Sequence, residues 1–96
     1  MTTGHAETLN GDMTIRAVMD TREMNWVPSP AGAVLRKRLH LVGAVESGQV
    51  TSVVRYLPGS SFPEHDHPEG EEIFVINGTF SDYLGDAHEG THLLNP

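Results

Sequence analysis

The sequence predicts an all-β fold, built as an antiparallel β-sandwich or barrel. Short apolar stretches alternate with turn residues, and the 96 residues include 10 glycines and 6 prolines. Glycine and proline at such intervals mark the turns between strands. No segment repeats its apolar residues with the period of an α-helix. A chain of this length is expected to form one small domain, and short antiparallel strands bury their apolar faces best as a sandwich or barrel.

The N-terminal third is predicted to contain little regular structure. Residues 1–12 are polar and are expected to form a flexible lead, followed by a single domain over residues 13–96. A loose alternation of apolar and polar residues predicts a short strand at 13–19. Trp26 lies in a turn rich in proline and glycine at 24–32, and packing is the expected role of its side chain.

Two strands are expected to form a hairpin at the centre of the chain. Residues 33–45 are the longest strand candidate, and residues 50–57 follow the turn signal at 46–48. In the first strand apolar and polar residues have opposite parity, which predicts one buried and one solvated face. The apolar set is Leu35, Leu39 and Leu41, and the polar set is Arg36, Arg38 and His40. The basic run at 36–38 is interpreted as part of a solvated face rather than as an anion site.

The C-terminal third predicts further short strands. Residues 72–83 are expected to form one long strand, or two strands that bend at Asn77-Gly78, because Asn-Gly favours positive φ. Residues 84–90 predict an acidic loop, and residues 91–95 a final short strand.

The strand after residue 71 is apolar on both faces. Ile73 and Val75 are expected to face the interior, whereas Phe74 and Ile76 point the other way. A strand of this kind is normally covered on both faces. In a domain this small the second cover is most simply another copy, so the sequence predicts a homodimer.

The composition excludes several kinds of partner. The formal net charge is −7, from 13 acidic and 6 basic side chains, so nucleic-acid binding is not expected. The absence of cysteine excludes disulfides and thiolate metal sites. Residues 1–12 lack the apolar core of a signal peptide, and no stretch has the length of a membrane span. We therefore expect no membrane partner and a cytoplasmic location.

The strongest functional signal lies in residues 59–78. His65 and His67 are one residue apart, so in an extended chain both imidazoles project to the same side. Glu71 has the same parity, and a kink at 68–70 would let it turn back toward the histidines. Two imidazoles and one carboxylate on one face of a cation form the facial triad of non-haem iron sites. These three residues are the predicted ligands of one divalent metal.

Neighbouring residues are assigned other roles. Glu72 has the opposite parity to Glu71 and is expected to point outward. The remaining histidines are interpreted as surface or packing residues; they are His5, His40, His88 and His92. Imidazole and carboxylate ligands suit Fe or Zn, with Mn, Ni and Cu as further candidates.

The predicted ligands also carry a family resemblance. Gly59, His65, His67, Glu71 and Gly78 fit the spacing G-x5-H-x-H-x3-E-x6-G of the first cupin motif. Residues 90–96, Gly-Thr-His-Leu-Leu-Asn-Pro, match the first half of the second motif, which begins G-x5-P. Together with residues 26–30, 53–59 and 70–82, these segments resemble the ChrR-like cupin family.

The resemblance implies a cupin jelly roll, incomplete at its C-terminus, that binds one metal. In the family a fourth ligand, a histidine, follows the proline of the second motif, and here that position would fall beyond Pro96. The family includes the sensor domains of zinc-binding anti-sigma factors. It also includes relatives of acetylacetone-cleaving and dihydroxyacetophenone dioxygenases.

Three functions follow as expectations from this resemblance. The first is a non-haem Fe(II) dioxygenase acting on a small diketone or hydroxyketone. The second is a non-catalytic metal-binding sensor or regulatory module, related to anti-sigma factors. The third is an inactive cupin fragment. The sequence leaves open whether the protein is an enzyme.

Overall fold

The computed structural model describes residues 8–30, 32–43, 48–61 and 69–96. The chain divides into two compact units, Met1–Glu64 and His65–Pro96. A 3₁₀ helix, Thr21–Glu23, precedes seven strands. The strands are β1 (Val27–Pro28), β2 (Val34–Val42), β3 (Gln49–Tyr56), β4 (Glu71–Phe74), β5 (Thr79–Asp82), β6 (Gly85–His88) and β7 (His92–Asn95). All strand pairs are antiparallel, which confirms the predicted all-β class.

Within the described ranges no helix is both long enough and apolar enough to cross a bilayer. The cytoplasmic location expected from the sequence stays a prediction.

The first unit contains a three-stranded sheet in the order β1-β2-β3. The hairpin of β2 and β3 confirms the two central strands predicted from the sequence, to within three residues at each end. Both strands are rich in β-branched and long apolar side chains, which pack well on a pleated surface.

A β-bulge interrupts β2 between Arg38 and His40, where the pairing register shifts by one residue. Val34 and Leu41 have opposite parity in sequence, yet each is only 2 % exposed. Their partners in β3, Tyr56 and Val50, share one parity, so the bulge brings Val34 and Leu41 to the same face.

The predicted separation of β2 into an apolar and a basic face is therefore wrong. Arg36 and Arg38 pair with Val54 and Ser52, and so share the face of Val34 and Leu41. Lys37, on the opposite face, donates a hydrogen bond to the Thr21 carbonyl at 2.6 Å, and its ammonium lies 4.5 Å from the centre of the Trp26 ring. The basic run is half-buried rather than solvated. Long basic side chains can bury their aliphatic stems while their charged ends stay accessible to water.

Beyond its short pairing with β1, β2 is hydrogen-bonded to Leu9 and Asn10. Leu9 and Leu41 exchange two backbone hydrogen bonds, of 2.9 and 3.0 Å. The Asn10 amide donates a hydrogen bond of 2.8 Å to the carbonyl of Leu39, the residue at the bulge. The flexible lead expected over residues 1–12 stays a prediction, and its described end is hydrogen-bonded to the sheet.

The short strand predicted at 13–19 is wrong. The Asp12 carboxylate accepts hydrogen bonds from the backbone amide and the hydroxyl of Thr14, at 2.9 and 2.6 Å. These hydrogen bonds lower the pKa of Asp12 and hold a local turn. A side chain that hydrogen-bonds to the backbone of a residue nearby in sequence competes with strand pairing. Met13, Ile15 and Val18 consequently remain exposed.

The second unit contains two strand pairs, β4 with β7 and β5 with β6. The bend predicted at Asn77-Gly78 is confirmed, since β4 ends at Phe74, β5 begins at Thr79, and Gly78 has a φ of 84°. The final strand predicted at 91–95 is confirmed by β7. The loop predicted at 84–90 is wrong, because Gly85–His88 forms β6 and pairs with β5.

The burial of β4 follows the predicted alternation. Ile73 is half-buried and Val75 is buried, whereas Phe74 and Ile76 are 60 % and 66 % exposed. Hydrogen bonds from Val75 to the Thr91 carbonyl and from Gly90 to the Val75 carbonyl extend the pairing beyond the end of β4. One face of β4 and β7 is thus directed inward and the other is open to solvent.

Candidate metal centre

The three predicted ligands are described to different extents. His65 and His67 lie outside the described residues. Glu71 is the first residue of β4 and is half-buried. Among the described residues, no group of three or more histidine, aspartate or glutamate side chains is arranged to hold a metal ion.

Glu71 lies on the inward face of its strand. It alternates with the exposed Glu72 and shares the side of Ile73 and Val75, as the sequence predicts. Its direct partner across the sheet is Asn95, the last residue of β7. The Asn95 amide donates a hydrogen bond of 3.1 Å to Oε2 of Glu71. The carboxylate is therefore held by a neighbouring side chain at a partly buried position.

Gly70 fixes the backbone immediately before Glu71. It has a φ of 83°, in the left-handed region that glycine tolerates best. A Cβ atom at this position would lie 2.9 Å from the Asn95 carbonyl oxygen and 3.4 Å from the backbone of Pro96. The start of β4 thus approaches the end of β7 too closely for any side chain other than hydrogen.

Glu72 faces the other way, toward solvent. Its Oε1 lies 3.2 Å from Nε2 of His92, and both side chains are exposed. An exposed pair of this kind contributes little to stability. Of the two adjacent glutamates, Glu71 has the burial and the oriented carboxylate that suit a metal ligand.

The described histidines outside the motif are His40, His88 and His92. His88 Nδ1 lies 3.2 Å from the Thr79 hydroxyl, across the hairpin of β5 and β6. His40, in β2, has a buried Nε2 without a hydrogen-bond partner. These contacts agree with the surface and packing roles expected for His40, His88 and His92.

The donor types fit a divalent transition metal. Imidazole nitrogen and carboxylate oxygen are suitable for the first-row metals, and the chain contains no thiolate that would compete. Glu71 is half-buried, and its carboxylate accepts a hydrogen bond from Asn95. Carboxylates that bind metals are normally hydrogen-bonded in this way by a residue that does not itself bind the metal.

Asn95 is the residue that the sequence analysis missed. The sequence predicts Asn95 only as part of the final strand, because its position opposite Glu71 depends on the register of β4 and β7. One signal was present in the sequence. Asn95 has the same parity as the inward Leu93, and a polar residue on an inward face normally has a specific partner.

Comparison with known families adds one finding. A family model described as the ChrR Cupin-like domain matches residues 14–96. No curated protein gives a match. The matched range covers all seven strands and the three predicted ligands.

Proposed function

Since the chain belongs to the ChrR cupin-like family, we propose that it binds one divalent transition metal through His65, His67 and Glu71. Iron and zinc are the first candidates, and Mn, Ni and Cu suit the same ligands. One observation carries the proposal: of two adjacent glutamates, the one at the motif position is directed inward, half-buried and held by an amide.

The function we propose for the metal-loaded protein is oxygen-dependent cleavage of a small diketone or hydroxyketone. Bound iron(II) would supply Lewis acidity and redox chemistry for this reaction. The task of the chain is to hold three ligands on one side of the cation and leave the opposite side open to substrate. Asn95 restricts the Glu71 carboxylate, and Ile73 and Val75 place apolar side chains on the same inward face.

Metal content is the direct test. Protein purified without chelator and without nickel resin should contain about one metal ion per chain, as a single facial triad requires. His65→Ala, His67→Ala and Glu71→Gln should each lower this content strongly. His92→Ala is the matched control, because His92 is an exposed histidine that contacts Glu72 rather than Glu71. Equal metal content in all five proteins would refute the site.

The reaction is tested separately. Protein loaded anaerobically with iron(II) should consume oxygen when acetylacetone is added, and His67→Ala should abolish the consumption. Metal binding without oxygen consumption with any small dicarbonyl would reject the dioxygenase and favour the sensor module. A chain that binds no metal and consumes no oxygen would favour the inactive fragment.

A second copy of the chain is the partner that we propose for the open face of β4 and β7. Phe74, Ile76 and Leu94 share this face and are 60 %, 66 % and 64 % exposed. Large apolar side chains exposed together on one sheet face are a feature of interaction surfaces.

A further inference from the structure

We propose that Asn95 is a positioning residue for the metal centre, which orients the Glu71 carboxylate for its cation. This inference rests on the proposed function, since it assigns to Asn95 a role at the same site. In this role Asn95 contacts Glu71, the proposed ligand, and does not itself coordinate the metal.

The sheet register places the two side chains together. Glu71 and Asn95 are direct antiparallel partners at the end of the β4–β7 ladder, so their side chains leave the sheet on the same face. Both are half-buried, and the amide nitrogen of Asn95 lies 3.1 Å from Oε2 of Glu71. The contact joins residues 24 positions apart in sequence, so it forms only when β7 pairs with β4.

The backbone reinforces the same contact. Gly70 lets the chain before Glu71 pass close to the Asn95 carbonyl, where a Cβ atom would lie 2.9 Å from the oxygen. A glycine at position 70 therefore permits the close approach of the two main chains at the end of the ladder, which brings the Asn95 and Glu71 side chains within hydrogen-bond reach.

The chemistry of the pair favours an orienting role. A carboxylate has no hydrogen to donate, and an amide NH₂ group is a donor that adds no charge. Asn95 can therefore restrain Glu71 without neutralising it, so the negative charge is retained for a cation. Such outer partners of metal ligands typically change metal affinity about 10-fold to 100-fold when they are removed.

Asn95→Leu is the variant that tests the inference, because leucine has a similar size and no donor. We expect its dissociation constant for Co(II) to rise about 10-fold to 100-fold. The visible absorption spectrum of bound Co(II) should also change, since it reports the arrangement of the ligands. Leu93→Ala is the matched control: Leu93 lies on the same strand and face, opposite Ile73, and contributes no hydrogen bond to Glu71. Its Co(II) affinity and spectrum should stay close to those of the unchanged chain.

The outcomes separate this inference from the proposed function. If the unchanged chain binds Co(II), and Asn95→Leu binds it equally well with the same spectrum, the positioning role is rejected while the metal site stands. If Leu93→Ala weakens binding as much as Asn95→Leu, Asn95 acts only through sheet stability and the inference is again rejected. If the unchanged chain binds no Co(II), the proposed function itself fails.

Far-UV circular dichroism of the metal-free proteins checks that each variant folds. If Asn95→Leu does not, Asn95→Val replaces it, because valine also lacks a donor and suits a strand better. The same comparison of affinity and spectrum then decides the question.

Discussion

At the scale of single residues, a glycine and an amide side chain determine the geometry at the start of β4. Gly70 adopts positive φ against the end of β7, and Asn95 holds the carboxylate of the next residue. Gly78 has nearly the same φ, 84°, but among the described residues no atom beyond its chain neighbours lies within 4 Å of the position of its absent Cβ. Alanine substitutions at the two glycines therefore separate the energetic cost of positive φ from the cost of steric overlap.

We predict that Gly70→Ala destabilises the protein more than Gly78→Ala. Positive φ costs an L-residue about 1–2 kcal/mol at either site. At Gly70, crowding against the Asn95 carbonyl adds about 1–3 kcal/mol. Urea unfolding followed by circular dichroism measures both variants. Equal losses of stability would show that the close approach of β4 to β7 does not persist in solution.

Residue parity predicted the directions of Glu71 and Glu72, because the side chains of an extended strand must alternate. Parity is a local property and needs only the sequence of β4. The pairing of Glu71 with Asn95 is not local, since it depends on which strand lies beside β4 and in which register. The roles of His65 and His67 stay predictions, because these residues lie outside the described part of the chain.

At the scale of elements, the bulge in β2 decides which side chains are buried. Without it, Val34 and Leu41 would lie on opposite faces of the sheet. With it, they share a face and both are 2 % exposed. The Asn10 side chain donates to the carbonyl of the bulge residue, Leu39, so the irregularity does not leave that group without a partner.

We predict that Val34→Ala and Leu41→Ala both destabilise the first unit. Removing the two buried methyl groups of Val34 should cost about 2 kcal/mol, and Leu41→Ala about 2–5 kcal/mol. Val42→Ala is the control, since Val42 is in the same strand and exposed, and it should cost less than about 1 kcal/mol. Thermal and urea unfolding give the three values. A near-zero cost at either buried position would argue against the bulged register.

The strands at 34–42 and 49–56 could be predicted because their apolar residues are long, β-branched and bounded by turn signals. The bulge could not, because a one-residue shift in pairing leaves no local mark in the sequence. The segment at 13–19 has alternating residues, but hydrogen bonds from Thr14 to Asp12 hold a turn there instead. Strand β6 could not be predicted, because Gly85-Asp-Ala-His88 contains polar and small residues that also suit a loop.

At the scale of the whole molecule, the open face of β4 and β7 is the surface through which we expect the protein to associate. Its exposed apolar residues Phe74 and Leu94 are direct partners of His92 and Glu72 across the ladder, and these two polar side chains contact each other at 3.2 Å on the same face. A face that mixes apolar and polar side chains in this way has the composition of many non-obligate protein–protein interfaces.

We predict that the protein is a dimer and that Phe74→Asp converts it to a monomer. Aspartate in place of the large exposed Phe74 side chain would remove apolar contact area and place a charge that must be desolvated in the interface, which is costly. Tyr83→Asp is the control. Tyr83 is exposed in the turn between β5 and β6 and is not part of the β4–β7 ladder. Sedimentation equilibrium measures the three masses. A monomeric unchanged chain, or a dimeric Phe74→Asp variant, would contradict the proposed interface.

The hydrogen bonds of Leu9 and Asn10 have a practical consequence for anyone who shortens the gene. A version trimmed to the matched family range would begin at residue 14 and would lack both residues. The amide and carbonyl of Leu41, and the carbonyl of Leu39, would then be left to water or to a neighbouring chain. Protein that begins at residue 8 or earlier should therefore aggregate less than protein that begins at the boundary of the family match.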